Sequence, residues 1–233
     1  MAENSEAQLH QLMYRYITSS LVPNTSQLKQ LLSQVSNKQR MSILSKEYTN
    51  YWMPLHKAAF KDDTDIIEAI LSSLQNTDRI KLASISVRGV TPLQLAINFA
   101  NIDSVKAILV WLRSNEQILL LNTKERSRQI TAFLTAVSTG HVELTKTILD
   151  CLTPEKQVEL ITTHDRSGRT AIEEAESRGH SHVVTLLNAY SQDAELCLLE
   201  QSGRLMFCWE RRRAAYSGKS EHFRDNQQKP SRV

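Results

Sequence analysis

One pattern recurs four times along the 233-residue chain. The stretches MPLHKAAFKDDTDIIEAIL from Met53, TPLQLAINFANIDSVKAIL from Thr91, TAFLTAVSTGHVELTKTIL from Thr131 and TAIEEAESRGHSHVVTLLN from Thr170 align without gaps, at intervals of 38, 40 and 39 residues. Self-similarity on this scale marks an array of small supersecondary units and overrides any element-by-element reading. Each unit reads as two short helices. The first opens at a Thr/Met-Pro/Ala pair, because proline suits a first turn whose N–H has no partner. Leu55, Ala58 and Ala59 recur as Leu93, Ala96 and Ile97, as Phe133, Ala136 and Val137, and as Ile172 and Ala175, the i, i+3, i+4 spacing of one helix face. A break follows at Asp62-Asp63, Ala100-Asn101, Gly140-His141 and Gly179-His180, and a second apolar helix begins.

The length beyond two helices is also patterned. Polar clusters with cap-like openings at Ser36, Asn76, Ser114, Thr153 and Ser191 precede the apolar slots Met41/Ile43, Ile80/Leu82, Ile118/Leu120, Val158/Leu160 and Leu196/Leu198. This predicts a third helix of one or two turns in five places. The organisation expected is an N-terminal helical segment (1–26), then an array over about 27–210. The array comprises a partial unit (27–51), full units (52–90, 91–130, 131–169 and 170–202) and a degenerate C-terminal cap (203–215). A disordered basic tail (216–233) follows. Degenerate outer units are what an array needs at its ends.

The helix-turn-helix unit opened by Met53-Pro54-Leu55-His56-Lys57-Ala58-Ala59 and Thr91-Pro92-Leu93-Gln94-Leu95-Ala96, with Gly-His before the second helix, resembles the ankyrin repeat. Gly89, Gly140, Gly168 and Gly179 fall on that family's glycine slots, whereas Ala132 and Ala171 replace proline, and the period exceeds the usual ~33 residues. The resemblance implies an all-α repeat solenoid with short hairpin-like connecting loops (46–52, 85–90, 124–130 and 164–169). It also implies a protein partner held on the concave face by the hairpins and first-helix ends. Carried over slot by slot, the partner-binding residues are Thr49, Asn50, Trp52, Phe60, Lys61, Arg88, Asn98, Phe99, Arg128, Ser138, Arg166, Arg169 and Arg178. Aromatic side chains at one end and arginines at the other are the residue types of interface hot spots. They suggest a partner segment with an apolar anchor and an acidic stretch.

Composition narrows the function classes. Six Gly and five Pro are few for an all-β chain of this length. The formal net charge of +3 is uneven: residues 203–233 hold 8 Lys/Arg against 3 Asp/Glu, and the rest 20 against 22. A folded nucleic-acid binder carries its positive stripe on the domain itself, so nucleic acid is not expected as a partner. No apolar run approaches the ~20 residues of a membrane span, so no membrane role is expected. The three cysteines, Cys151, Cys197 and Cys208, form no close pair, which fits a reducing, cytoplasmic (or nuclear) setting. No nucleophile-elbow, phosphate-loop or zinc-protease motif occurs. No catalytic residue, cofactor, metal or small-molecule substrate is therefore expected. His180 and His182 lack the further ligands zinc wants. His56, His141 and His180 read instead as side chains bonding the backbone of the adjacent unit, and Glu173, Glu174 and Glu176 as a solvated acidic face. The function expected is a non-enzymatic scaffold or adaptor. The alternatives are a targeting module of a larger enzyme or signalling protein, or nucleic-acid or membrane association through Arg211-Arg212-Arg213 and the tail.

Overall fold

The computed structural model describes residues 2–19, 22–48, 52–125, 130–165 and 168–201. Among them the chain is all-helical, with fourteen helices and only two isolated β-bridges. The helices are α1 (Ala2–Thr18), α2 (Thr25–Gln34), α3 (Asn37–Leu44), α4 (Pro54–Lys61), α5 (Thr64–Ser72), α6 (Asn76–Ser84), α7 (Pro92–Asn98), α8 (Ile102–Val110), α9 (Ser114–Leu121), α10 (Ala132–Ser138), α11 (Val142–Asp150), α12 (Pro154–Thr162), α13 (Ala171–Ser177) and α14 (Ser181–Gln201). None is long and apolar enough to cross a membrane. The cap region 203–215, the tail and Cys208 lie outside the described residues.

The first helices of the four units, α4, α7, α10 and α13, start where the sequence pattern places them. Pro54 and Pro92 occupy the first turn of α4 and α7, and the hydroxyls of Thr91, Thr131 and Thr170 each accept an N–H of the opening turn. Gln94 and Glu173 complete reciprocal capping boxes. All four helices end at one slot in the left-handed region: Asp62 (φ 60), Ala100 (φ 55), Gly140 (φ 74) and Gly179 (φ 74). An L side chain there costs about 1–2 kcal/mol, and only two of the four units use glycine to avoid it.

The third short helices are held by a recurring side chain. Arg79 Nε donates to the Leu71 carbonyl at 2.8 Å, Gln117 Nε2 to Leu109 at 2.8 Å and Gln157 Nε2 to Leu149 at 2.9 Å, each donor eight residues after its acceptor. In the partial unit Arg40 fills the same slot and donates to the Val35 carbonyl at 3.0 Å and to Ser73. The Leu71, Leu109 and Leu149 carbonyls each already accept the backbone N–H three residues on, so these side chains add a second bond that ties the third helix to the end of the second. Gln117→Ala removes this bond between the second and third helices while the Leu109 carbonyl keeps its backbone bond from Leu112, and is expected to lower stability by about 1 kcal/mol in urea titration. An unchanged midpoint would contradict this role.

Two expectations are corrected. The caps of α6 and α9 are Gln75 and Arg113, one residue before Asn76 and Ser114. No separate fifth short helix opens at Ser191, because α14 runs unbroken from Ser181 to Gln201. Aligning the polar cluster at Ser191 with that at Thr153 puts Glu195, an acceptor that cannot serve a carbonyl, in the slot of Gln157, and no proline stops the helix. The helix continues instead, and α14 packs along α12 and α13.

Packing follows the repeat. α4 packs on α7, α7 on α10 and α10 on α13. The second helices α2, α5, α8, α11 and α14 follow one another in the same way, as do the third helices α3, α6, α9 and α12. One connected core results, with Leu55, Leu93 and Phe133 at most 1% exposed. Ile172, their counterpart on α13, is only half-buried. At the other end α1 covers α2, α3 and α4 through Leu9, Met13 and Tyr16. The Tyr16 hydroxyl donates to Asp63 Oδ2 at 2.5 Å, and burial of that phenol raises its pKa.

Candidate functional site

Equivalent slots of successive units place one row of side chains on each first helix. The row takes the last residue of the preceding loop, one residue from mid-helix and two from the helix end. It reads Trp52, Lys57, Phe60 and Lys61 in the first full unit, and Val90, Leu95, Asn98 and Phe99 in the second. In the third it reads Ile130, Thr135, Ser138 and Thr139, and in the fourth Arg169, Glu174, Ser177 and Arg178. Because α4, α7, α10 and α13 pack in that order, the four rows are neighbours in turn.

The aromatic end is a contact chain. The Trp52 and Phe60 rings lie 5.2 Å apart, and Phe60 meets Phe99 edge to face at 4.7 Å. Trp52 and Phe60 are half-buried, while Phe99 is 56% exposed. Lys57 Nζ sits 5.8 Å from the centre of the Trp52 ring, within cation–π range. Lys61 is exposed on the last turn of α4. The two neighbouring carboxylates are held elsewhere. Asp62 Oδ1 accepts the Ser104 N–H at 3.0 Å and hydroxyl at 2.6 Å on α8, and Asp63 accepts Tyr16 of α1.

At the other end the arginines are occupied. Glu174 is 2% exposed, and both Arg178 Nε (2.6 Å) and Arg169 Nη2 (3.0 Å) close on it. Arg169 also approaches Asp165 at 3.8 Å. This corrects the reading of Glu173, Glu174 and Glu176 as a solvated face: Glu174 is buried and two cations converge on it. Glu173 is the capping-box residue, and the Thr170 N–H holds its carboxyl below the usual range. Lys57 and Glu174 were missed by the sequence reasoning. Both occupy the same repeat slot, one turn before the chosen helix-end positions, so i, i+4 geometry could have found them.

Of the remaining candidates, Arg88 and Asn98 are exposed and Ser138 is half-buried. Arg88 (φ 53) and Gly89 (φ 82) form a two-residue turn closed by paired bonds between Val87 and Val90 of 2.9 and 3.0 Å. Positive φ at both positions matches a type I′ hairpin turn, and Gly89 adopts it without strain. Thr49, Asn50, Arg128 and Arg166 lie outside the described residues.

Histidines join adjacent units. His56 Nε2 donates to the Val90 carbonyl at 3.2 Å, and His180 Nε2 to that of Ser138 at 3.0 Å. Asn101, two units earlier in the His180 slot, donates to Ala59 (2.7 Å) and Phe60 (3.0 Å). His141, in the same slot, stands exposed at the cap of α11, with no ring bond to another described residue. Burial pushes His56 down to about 4. It also pushes the half-buried Cys151 thiol above its ordinary value. Among the described residues no three His, Cys, Asp or Glu side chains gather closely enough to hold a metal ion.

Comparison with known proteins gave no match, either to a family model or to a curated relative.

Proposed function

We propose that the chain is an ankyrin-like repeat solenoid that acts as a non-enzymatic scaffold or adaptor, gripping a protein partner along the rows of its first helices and adjoining loops. The observation that carries this reading is the chain of Trp52, Phe60 and Phe99, ending in a Phe99 ring 56% exposed. Aromatic rings stacked at the solvent boundary supply large contact area with little conformational freedom to lose, which is how interface anchors work. The successive packing of same-slot helices and the shared left-handed slot support the solenoid. Reading the chain as intracellular, most simply cytoplasmic, belongs to this proposal and rests on cysteine usage.

The full chain, immobilised and offered cell lysate, is expected to retain partners that the double variant Phe60→Ala/Phe99→Ala loses, with affinity reduced at least about tenfold. Circular dichroism and thermal melting of the variant establish that it is folded. Retention of the same proteins by wild type and variant would contradict the reading. Retention that falls steeply with salt and vanishes on deleting 211–233 would favour the basic tail as the binding element.

A further inference from the structure

We infer that the first-helix face recognises a short acidic segment carrying one bulky apolar side chain, and that both features are read at the first two full units. The inference rests on the protein-binding reading and adds the chemistry and the place of the partner. The apolar anchor contacts Phe99 and Phe60, whose rings meet at 4.7 Å with Phe99 open to solvent. The acidic residues meet Lys57 and Lys61, the two cations of the same row.

Charge distribution decides between the two ends of the face. In the fourth unit Arg169 and Arg178 both close on the buried Glu174 carboxylate, at 3.0 and 2.6 Å. With Glu174 and Asp165 beside them the two guanidinium charges are already balanced, so a partner carboxylate there meets little net positive charge. In the first unit the relation is reversed. Among the described residues neither Lys61, which is exposed, nor Lys57, which sits over the Trp52 ring, has a carboxylate within ion-pair distance. The nearby Asp62 and Asp63 are bonded to Ser104 of α8 and Tyr16 of α1, in the layers of the second helices and the N-terminal helix. Cations beside an apolar anchor therefore occur only at this end of the described rows. Since Lys57 and Lys61 are one helical turn apart on α4, the motif that satisfies them is compact rather than spread along the array.

The test is selection of a displayed library of random linear peptides on the full chain, followed by fluorescence anisotropy of the recovered peptides. Expected are peptides pairing Trp, Phe or Leu with Asp or Glu. Their binding should fall about tenfold in Phe99→Ala and severalfold in Lys61→Glu, weaken with salt, and stay unchanged in Lys106→Gln, an exposed cation of α8 outside the first-helix rows. Both primary substitutions are at exposed positions, and melting curves confirm folding. Peptides that depend on Phe99 yet are basic or uncharged, or ignore Lys61→Glu, overturn this inference and leave the protein-binding reading standing. Binding that ignores both Phe99→Ala and Phe60→Ala, or recovery of no peptide, overturns the reading and the inference together.

Discussion

Replacing Gly140 with alanine is expected to lower stability by about 2–3 kcal/mol. Two effects add. At φ 74 a Cβ costs about 1–2 kcal/mol. The same Cβ would lie 2.7 Å from Nδ1 of His180, so the ring must move, and its bond to the Ser138 carbonyl, about 1 kcal/mol net, is strained or lost. Gly140 is thus both the end of α10 and the floor beneath the histidine that joins the third and fourth units. The reciprocal change, Ala100→Gly, relieves the same backbone strain at φ 55. It is expected to raise stability by up to about 1 kcal/mol, the gain being partly offset by the greater freedom of glycine in the unfolded chain. Urea titration of both variants checks the pair, and equal effects of the same sign would refute a common left-handed slot.

Acidification should weaken the joint between the first two full units through His56. Its folded pKa, pushed down to about 4 by burial, lies below the ordinary 6.5. Between these values the unfolded chain binds a proton that the native ring refuses, so stability falls as pH falls. The full contribution is present above about pH 6.5 and is lost progressively down to about pH 4, amounting to about 3 kcal/mol. Gln94 shows which substitution isolates the effect. It stands in the His56 slot one unit later and donates to the Thr123 carbonyl at 2.8 Å without a titrating ring. His56→Gln is therefore expected to keep the joint while removing this part of the pH dependence. Parallel stability curves for wild type and variant between pH 4 and 6.5 would contradict the assignment.

Much of the helical framework was legible because local chemistry repeats. Thr91, Thr131 and Thr170 cap their helices as side chains of their type do, and the breaks at Asp62, Ala100, Gly140 and Gly179 coincide with the left-handed residues. The backbone bonds of His56 and His180 followed from their places in the unit. What escaped depends on single side chains seen only in three dimensions. A carboxylate at Glu195, where other units carry Gln or Arg, merges two expected helices into α14. At the candidate site, the aromatic end was visible as residue types at chosen slots. The neutralisation of Arg169 and Arg178 was not, because it needs Glu174 turned inward, and an acidic run reads as surface until its partners are known.

The central claim is that the units stack by one repeated displacement, so that same-slot residues form regular rows. Asp65, Asp103, Glu143 and His182 occupy one slot in the opening turns of α5, α8, α11 and α14, and all are exposed. Spin labels placed there pairwise, with the native cysteines replaced, report the displacement directly by dipolar spectroscopy. With neighbouring helices about 8–10 Å apart, the 65/143 and 103/182 pairs should share one distance near 20 Å, and the 65/182 pair should lie near 30 Å. Unequal distances for the first two pairs, or a 65/182 separation no longer than either, would contradict the stack and the continuous face proposed to bind a partner.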